Sequence, residues 1–471
     1  MAETTTKPAT VLAVVALGLF VVNLDTTVLF VAFDDLRADF PDVTGAQLSW
    51  VINAYSIVFA ALLVPAGRIA DRPGRAVVLE FSLVVFTVAS ALASVAPTVP
   101  ILIAARVLQA VGSAGLVPSS LGLVMNAYPP ERRATAVTLW GAIGAAAAAL
   151  GPSLGAVLID AAGWRAAFMI NIPVGIVGFV LGRRVLEEAR PDGDEPIPSP
   201  VGVVLVAAAV GLVALGFVES DAWGWGDTRT VLAIVGGLAL LGLFVVQTRR
   251  AVAPAVDLSL FAVPGFRWAN VGILVYMTAF GNMFFGWILF TQQVWDYSVV
   301  EAGLAVTPTP FIASASAPWI GRALQRFGWR VTLVPACVLY AVGGLWLLAF
   351  ADGDPAYLTV MLPAVVITGV SAAFVIPGLN SAAVQALPGH RFAVGAAVSQ
   401  ANRNLGMALG VALVVSFVGD GNADLGRFDH VWLIQMVGGL VVAVLATRLP
   451  IPDRRPPDAS PVAPGSPVRA R

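Results

Sequence analysis

Fourteen runs of about twenty apolar residues, each cut off by polar or turn-forming residues, leave this chain little choice but a bundle of membrane-crossing helices. They fall near residues 9–33, 48–67, 77–95, 99–124, 134–158, 166–184, 201–218, 230–247, 267–293, 302–321, 331–350, 357–383, 392–418 and 431–447. A backbone in hydrocarbon must satisfy its own hydrogen bonds, so runs of this length are read as helices and the fold class as all-α integral membrane. Only 12% of the 471 residues are charged, about half the share of a soluble domain, which excludes a soluble globular enzyme. The first run is too long for a removable signal peptide, lacks a small-residue cleavage site, and contains Asp25.

Charge distribution sets the expected orientation. With the N-terminus cytoplasmic and an even number of spans, Arg37, Arg165, Arg229 and Arg427 fall in external loops, and Arg106 and Arg403 fall inside spans. The other 21 of the 27 Lys and Arg then face the cytoplasm, as the positive-inside rule requires, and shifting the topology by one span would invert the bias. Both termini are therefore expected in the cytoplasm.

Spans 7 and 8 read as an insertion. Without them, six spans precede and six follow, and the halves share one diagnostic stretch: Gly67-Arg-Ile-Ala-Asp-Arg-Pro-Gly74 after span 2 and Gly321-Arg-Ala-Leu-Gln-Arg-Phe-Gly328 after span 10. A duplicated six-helix unit is the signature of a secondary transporter whose site lies between the halves. The expected divisions are residues 1–190 for the first half, 191–254 for a linker with two inserted helices, 255–449 for the second half, and 450–471 for a disordered cytoplasmic tail. The net charge of −1 gives no footprint for nucleic acid, and one cysteine with two histidines offers neither a disulfide framework nor a metal site. No phosphate-binding loop or other cofactor motif is present, so no cofactor is expected. An integral-membrane enzyme would need His, Asp or Cys clustered at one face, and the chain is read as no enzyme.

The motifs resemble one known family: the major facilitator superfamily, and within it the fourteen-helix drug:proton antiporters of the EmrB/QacA type. Leu24-Asp25-Thr26-Thr27-Val28 resembles the acidic motif of span 1, Gly67 to Arg75 the loop signature between spans 2 and 3, and Arg106-Val-Leu-Gln-Ala-Val-Gly112 the span 4 motif. Gly141, Gly144, Gly151, Pro152 and Gly155 resemble the antiporter motif of span 5. Trp164-Arg165, Phe168, Asn171 and Pro173 resemble the opening of span 6, and Gln292, Ser298 to Pro308 and Arg403 to Gly410 resemble features of spans 9, 10 and 13. The chain departs from the family at the outer end of span 1, where it reads Phe30, Val31, Ala32, Phe33, Asp34, and in having no acid inside spans 9 to 14. The resemblance implies the major facilitator fold with fourteen helices arranged 6+2+6 in two pseudo-symmetric halves, antiport through the span 5 motif, and a monomer. It also implies a gating latch formed by Gly67, Asp71, Arg72, Gly74 and Arg75, with Asp71 meeting the start of span 13 near Arg391.

Physical reasoning assigns the remaining roles. An ionised Asp at mid-span costs roughly 2.5–3.5 kcal/mol, so Asp25 is expected to face the interior cavity as the proton-coupling carboxylate, holding either a proton or a cationic substrate, the alternative being a carboxylate permanently paired with a neighbouring donor such as Arg106. Arg106 is expected either to bias that proton or to anchor packing through backbone carbonyls, and Arg403 poses the same choice. The groups expected at the cavity are Asn23, Asn171, Asn282, Gln292 and Asn380 with Trp140, Trp287, Phe284 and Tyr276, many of them equally open to packing between helices or facing lipid. Trp223, Trp225, Trp268, Trp295 and Trp432 read as interfacial anchors. The expected function is export of small lipophilic or cationic compounds against an inward flow of protons, by alternating access, in a bacterial plasma membrane. The alternative is a dedicated exporter of one metabolite, lipid or antibiotic.

Overall fold

The computed structural model describes residues 8–70, 72–129, 132–186, 198–388, 391–418 and 425–450, all of them helix, turn or loop. Asp71, most of the Glu187–Pro200 stretch and the tail beyond residue 450 lie outside the described residues. The first six crossings are α1 (Pro8–Val31), α3 (Gly45–Ala70), α4 (Arg75–Ser94), α5 (Val99–Ala127), α6 (Arg133–Ala162) and the pair α7 (Ala166–Met169) and α8 (Asn171–Val185). A short α2 (Phe33–Asp39) follows α1. Next come α9 (Pro200–Val218), the single turn α10 (Ser220–Trp223) and α11 (Thr228–Arg250). The last six crossings are α12 (Pro264–Gln293), α13 (Val299–Val306) with α14 (Pro308–Phe327), α15 (Trp329–Phe350), α16 (Leu362–Gln385), α17 (Phe392–Val418) and α18 (Leu425–Ala446).

Thirteen of these crossings are long and apolar enough to span a bilayer as single runs. The fourteenth, expected over 302–321, is broken between α13 and α14. Pro308 has no N–H to donate, and Thr307 turns its hydroxyl onto Gly303 O at 2.7 Å, so the helix bends where its ladder is interrupted. Both ends of the chain's helical part lie at one end of the bundle, called here the terminal end, where Arg330 Nε donates to Leu449 O at 3.3 Å.

Close approach is made possible by small residues. A Cβ on Gly112 would stand 2.8 Å from Phe86 N and 2.9 Å from Ser82 O, so α5 and α4 touch backbone to backbone. The same contact recurs between α17 and α12, where a Cβ on Gly410 would collide with Thr278 O and stand 2.6 Å from Asn282 N. The inserted α9 and α11 pack on each other through Gly237 and Val213 and turn the outward faces of Val204, Leu232, Val235 and Leu238 away from the protein. Of the two, α9 is seated where α3 of the first half meets α17 of the second.

The internal repeat is visible in the backbone. Gly74 and Gly328 close the two matching stretches with φ of 104° and 81°, each just before the next helix begins, at α4 and α15. A side chain is strained there, which is why glycine recurs in register at that step while Asp71 and Gln325 differ.

Replacing Gly112 by Val should force α4 and α5 apart and cost about 1–3 kcal/mol, read as a lower Tm of the purified protein in detergent. Gly141→Ala, inside α6 at a position with no neighbour within 4 Å, should hold or slightly raise Tm.

Candidate functional site

Asp25 and Arg106 are the two fully buried charged side chains among the described residues, 2% and 1% exposed, and they meet at 2.5 Å between Asp25 Oδ2 and Arg106 Nη1. The other carboxylate oxygen accepts from Asn171 Nδ2 at 2.9 Å and Gln109 Nε2 at 3.2 Å. Arg106 also donates from Nε to Val51 O at 2.9 Å and from Nη1 to Gln109 Oε1 at 2.8 Å, and its guanidinium lies 4.1 Å over the Tyr55 ring. Gln109 donates onward to Ser90 Oγ at 2.8 Å, and Tyr55 donates to Ser113 Oγ at 2.8 Å. Five elements, α1, α3, α4, α5 and α8, are joined in this one network inside the first half.

A cavity of about 270 Å³ lies between the halves toward the terminal end. Leu63, Val64 and Arg68 of α3 line one wall, with Val117, Leu121 and Met125 of α5 and Trp140 of α6, and Asn380, Ser399 and Gln400 line the other. Trp140 is held by Nε1 donating to Ser120 Oγ at 3.0 Å. No carboxylate stands among the described lining residues.

At the opposite end the halves are shut. Phe30 and Phe33, the residues that set the end of span 1 apart, pack against Phe285 at ring distances of 5.5 and 5.2 Å, and Phe30 also meets Phe284 at 6.1 Å. Ser153 and Thr307 share a 2.5 Å hydroxyl contact, and Gly303 is pressed onto Pro152, where a Cβ would stand 2.7 Å from the carbonyl. Beside this seal Gln293 donates to Asp34 Oδ1 at 3.4 Å. Burial holds the Asp34 carboxyl above its ordinary value of 3.8, with repulsion from Asp35 adding to the rise and the Gln293 bond and Arg37 opposing it. Nearer solvent, Asp39 is held below that value by Arg165, 2.6 Å away, and by the Trp164 indole N–H.

The sequence matches the family model described as "Major Facilitator Superfamily" over residues 15–411 and 270–469. The chain belongs to the major facilitator superfamily. It is 31% identical to the protein named "Cephamycin export protein CmcT" of Amycolatopsis lactamdurans across 98% of this chain and 97% of that one. It is also 31% identical to "Multidrug efflux pump LfrA" of Mycolicibacterium smegmatis, over 87% and 81% of the two chains. A solved POT family transporter in complex with 5-aminolevulinic acid shares the fold, with a TM-score of 0.69 at 15% identity over 94% of this chain and 96% of the other.

The structure places several side chains away from the positions expected of them. Asp25 does not face the cavity; its oxygens are occupied by protein donors, because a buried carboxylate is tolerable only when paired and hydrogen-bonded. Asn171 belongs to that network and not to the cavity wall. Tyr276, Asn282, Phe284 and Trp287 are buried on α12: Tyr276 packs 4.8 Å from Tyr340, Asn282 donates to Val431 O, and Phe284 is part of the aromatic seal. Gln292 lies at the sealed end of α12, and Asn23 donates to Leu19 O on the flank of α1 that faces α6. Trp140 and Asn380 line the cavity. Trp295 and Trp432, expected as interfacial anchors, are 3% and 1% exposed and pack around Phe290.

Of the gating stretch, Gly67 and Arg75 line the cavity, and Arg72 N donates to Ile69 O in the turn. Arg391 donates to Ser259 Oγ at 2.9 Å and lies 3.8 Å from Asp257, in the segment that follows α11; the contact expected with Asp71 lies outside the described residues. That segment also receives Arg68 Nη1 on Pro254 O at 2.8 Å, so it is tied to both halves. Of the antiporter stretch, Gly144, Gly151 and Gly155 press on Leu19, Thr27 and Val28 of α1, and a Cβ on Gly151 would overlap Thr27 Oγ1. Tyr55 and Ser90 joined the buried network unforeseen, with a polar residue in mid-span as their one signal.

Arg106→Met should destabilise the protein by about 3–5 kcal/mol because it strands the Asp25 charge, and adding Asp25→Asn should recover part of the loss in a double-mutant thermal-stability cycle. Because the Asp34 carboxyl is raised in the sealed arrangement, its stabilising share is present below the ordinary carboxylate value and lost as pH rises through the raised one. The distance between spin labels at positions 42 and 354 should therefore broaden toward longer values with rising pH, and Asp34→Asn should remove that dependence.

Proposed function

We propose that this chain exports small lipophilic compounds of the antibiotic kind across a bacterial plasma membrane, driven by protons moving inward, with the terminal end and both termini facing the cytoplasm. Family membership and the export and efflux proteins among its relatives support the substrate class. The positive-inside bias supports the orientation. In this reading the cavity is loaded from the cytoplasm while the aromatic seal closes the outer face, and the cycle passes to a state with the outer face open. The divisions proposed are residues 1–190 and 255–449 as the two halves, 191–254 as the inserted segment and 450–471 as a cytoplasmic tail.

The observation that carries proton coupling is the buried Asp25–Arg106 pair. Protonating Asp25 removes the counter-charge of Arg106, and an arginine left alone at that depth must find new partners or water. Its partners lie on α3 and α5, the helices that also wall the cavity, with Pro118 interrupting the α5 ladder between the two regions. Coupling is thus mechanical, through helices, and needs no direct contact between proton site and cargo. Each inward proton supplies about 2.3 kcal/mol per 100 mV of membrane potential.

The cavity, at about 270 Å³, is at the small end for drug-sized ligands and favours a second reading, export of one metabolite, lipid or antibiotic. Expressed in an efflux-deficient bacterium, the wild type should raise the inhibitory concentration of lipophilic compounds across a mixed panel. A shift confined to one compound selects the second reading, and a membrane-inserted wild type that shifts none overturns export. Efflux of the shifted compounds from preloaded cells should stop with an uncoupler and fall at least about tenfold in Asp25→Asn. Undiminished uphill efflux in that variant would remove Asp25 from the coupling role.

A further inference from the structure

Arg403 sits near the middle of α17, the twelfth of its 27 residues, and has no ion pair and no hydrogen bond to any described residue. Its Nε is buried without an acceptor. One turn earlier Ser399 is also fully buried, lines the cavity, and has a hydroxyl without a partner. Positions 399, 400 and 403 share one face of a helix, and helical side chains lean toward the N-terminal turn, which places Arg403 one turn beyond Ser399 and Gln400, both of which line the cavity. The adjoining edge of α17 is taken by α12, where Asn402 donates to Asn270 O and Gly406 packs on Leu274 O.

A lone arginine at mid-span is costly unless a partner comes from elsewhere. The cavity supplies none: its described lining includes Arg68 and Arg75 and no Asp or Glu, and Asp25 is fully engaged within the first half. Two donors without acceptors, in a wall that holds further cations and amides but no Asp or Glu, define the complement they lack. It is an acceptor-rich anionic group joined to an apolar body.

We infer that Arg403, with Ser399, anchors the acid group of an anionic amphipathic cargo, so that the cavity selects aryl or alkyl carboxylates over cations. The planar fork of Arg403 suits a two-point contact with a carboxylate, and Leu63, Val64, Val117, Leu121 and Trp140 accept the apolar part. This rests on the exporter reading and reverses one sequence expectation, that a central acid would draw cationic compounds.

The test is equilibrium dialysis of the purified full-length protein in detergent against 1-naphthoate, 4-biphenylcarboxylate and the matching arylmethylammonium ions. The carboxylates should bind at least about tenfold tighter than their cationic counterparts, the yield of one charge-assisted contact. Arg403→Gln should lose that preference, Arg403→Lys should keep part of it, and Ser399→Ala should weaken carboxylate binding less than Arg403→Gln. Should Arg403→Gln fail to fold, Gln400→Glu gives the same readout by placing a negative charge beside the guanidinium, and it should weaken the carboxylates alone. Cation preference in the wild type, carboxylate binding too weak to measure at millimolar concentration, or equal carboxylate affinity in a folded Arg403→Gln or Gln400→Glu overturns the inference. Dialysis involves no transport, so carboxylate binding without efflux in cells would sink the exporter reading alone, and efflux of cations without carboxylate binding would sink the anion site alone.

Discussion

A carboxylate and a guanidinium in contact inside a helical bundle set the terms for the whole first half of this protein. Each charge costs several kcal/mol to remove from water, and the contact repays that only with good geometry and with every remaining lone pair and proton satisfied. Asp25 meets the condition with Asn171 and Gln109, and Arg106 meets it with Val51 O, Gln109 and the face of Tyr55. Five elements thus have one register in which the charges are paired. A rotation of α5 or a slip of α8 that leaves either charge alone is paid for at the full price of an exposed ion in hydrocarbon.

The second half has no comparable network among the described residues. It is held by backbone contact at small residues, as at Gly410 on α12 and at Gly439, where a Cβ would stand 2.8 Å from Cys337 O and from Ala341 N. Contacts of that kind fix distance without fixing charge. Of the buried polar groups without partners in this half, Tyr276, Trp287 and Tyr340 lie in its interior, and Ser399 stands at the seam between the halves. The two halves repeat a helix pattern and the glycine turn at Gly74 and Gly328, yet they divide the electrostatics unequally.

Much of this was legible in the sequence because the bilayer reduces the problem to counting. Runs of about twenty apolar residues become crossings, and the structure moves their ends by only a few residues. The bend at Pro308 could be anticipated in kind but not in extent, since a proline inside an apolar run reads equally as a kink or a stop. The pairing of Asp25 with Arg106 was foreseen as one of two outcomes, for cost alone demands a partner and says nothing of which wall it faces. Apolar periodicity is weak in helices buried on all sides, so the sequence could not separate Tyr276 or Trp287, packed within α12's surroundings, from Trp140 at the cavity. Phe30 and Phe33 stood out as departures from the family's pattern, and only their meeting with Phe285 gives the departure a meaning.

The segment after α11 grips Arg68 through Pro254 and Arg391 through Asp257 and Ser259. Between its first two anchor points lie three steps of backbone, and fully extended chain covers at most about 10 Å in that length. The segment therefore acts as a tether of fixed measure across the terminal end: while both grips hold, α3 and α17 can part there only by that span and the reach of two arginine side chains. Wider parting needs one grip to let go, and bonds this near the surface are weak enough to be broken and remade in each passage.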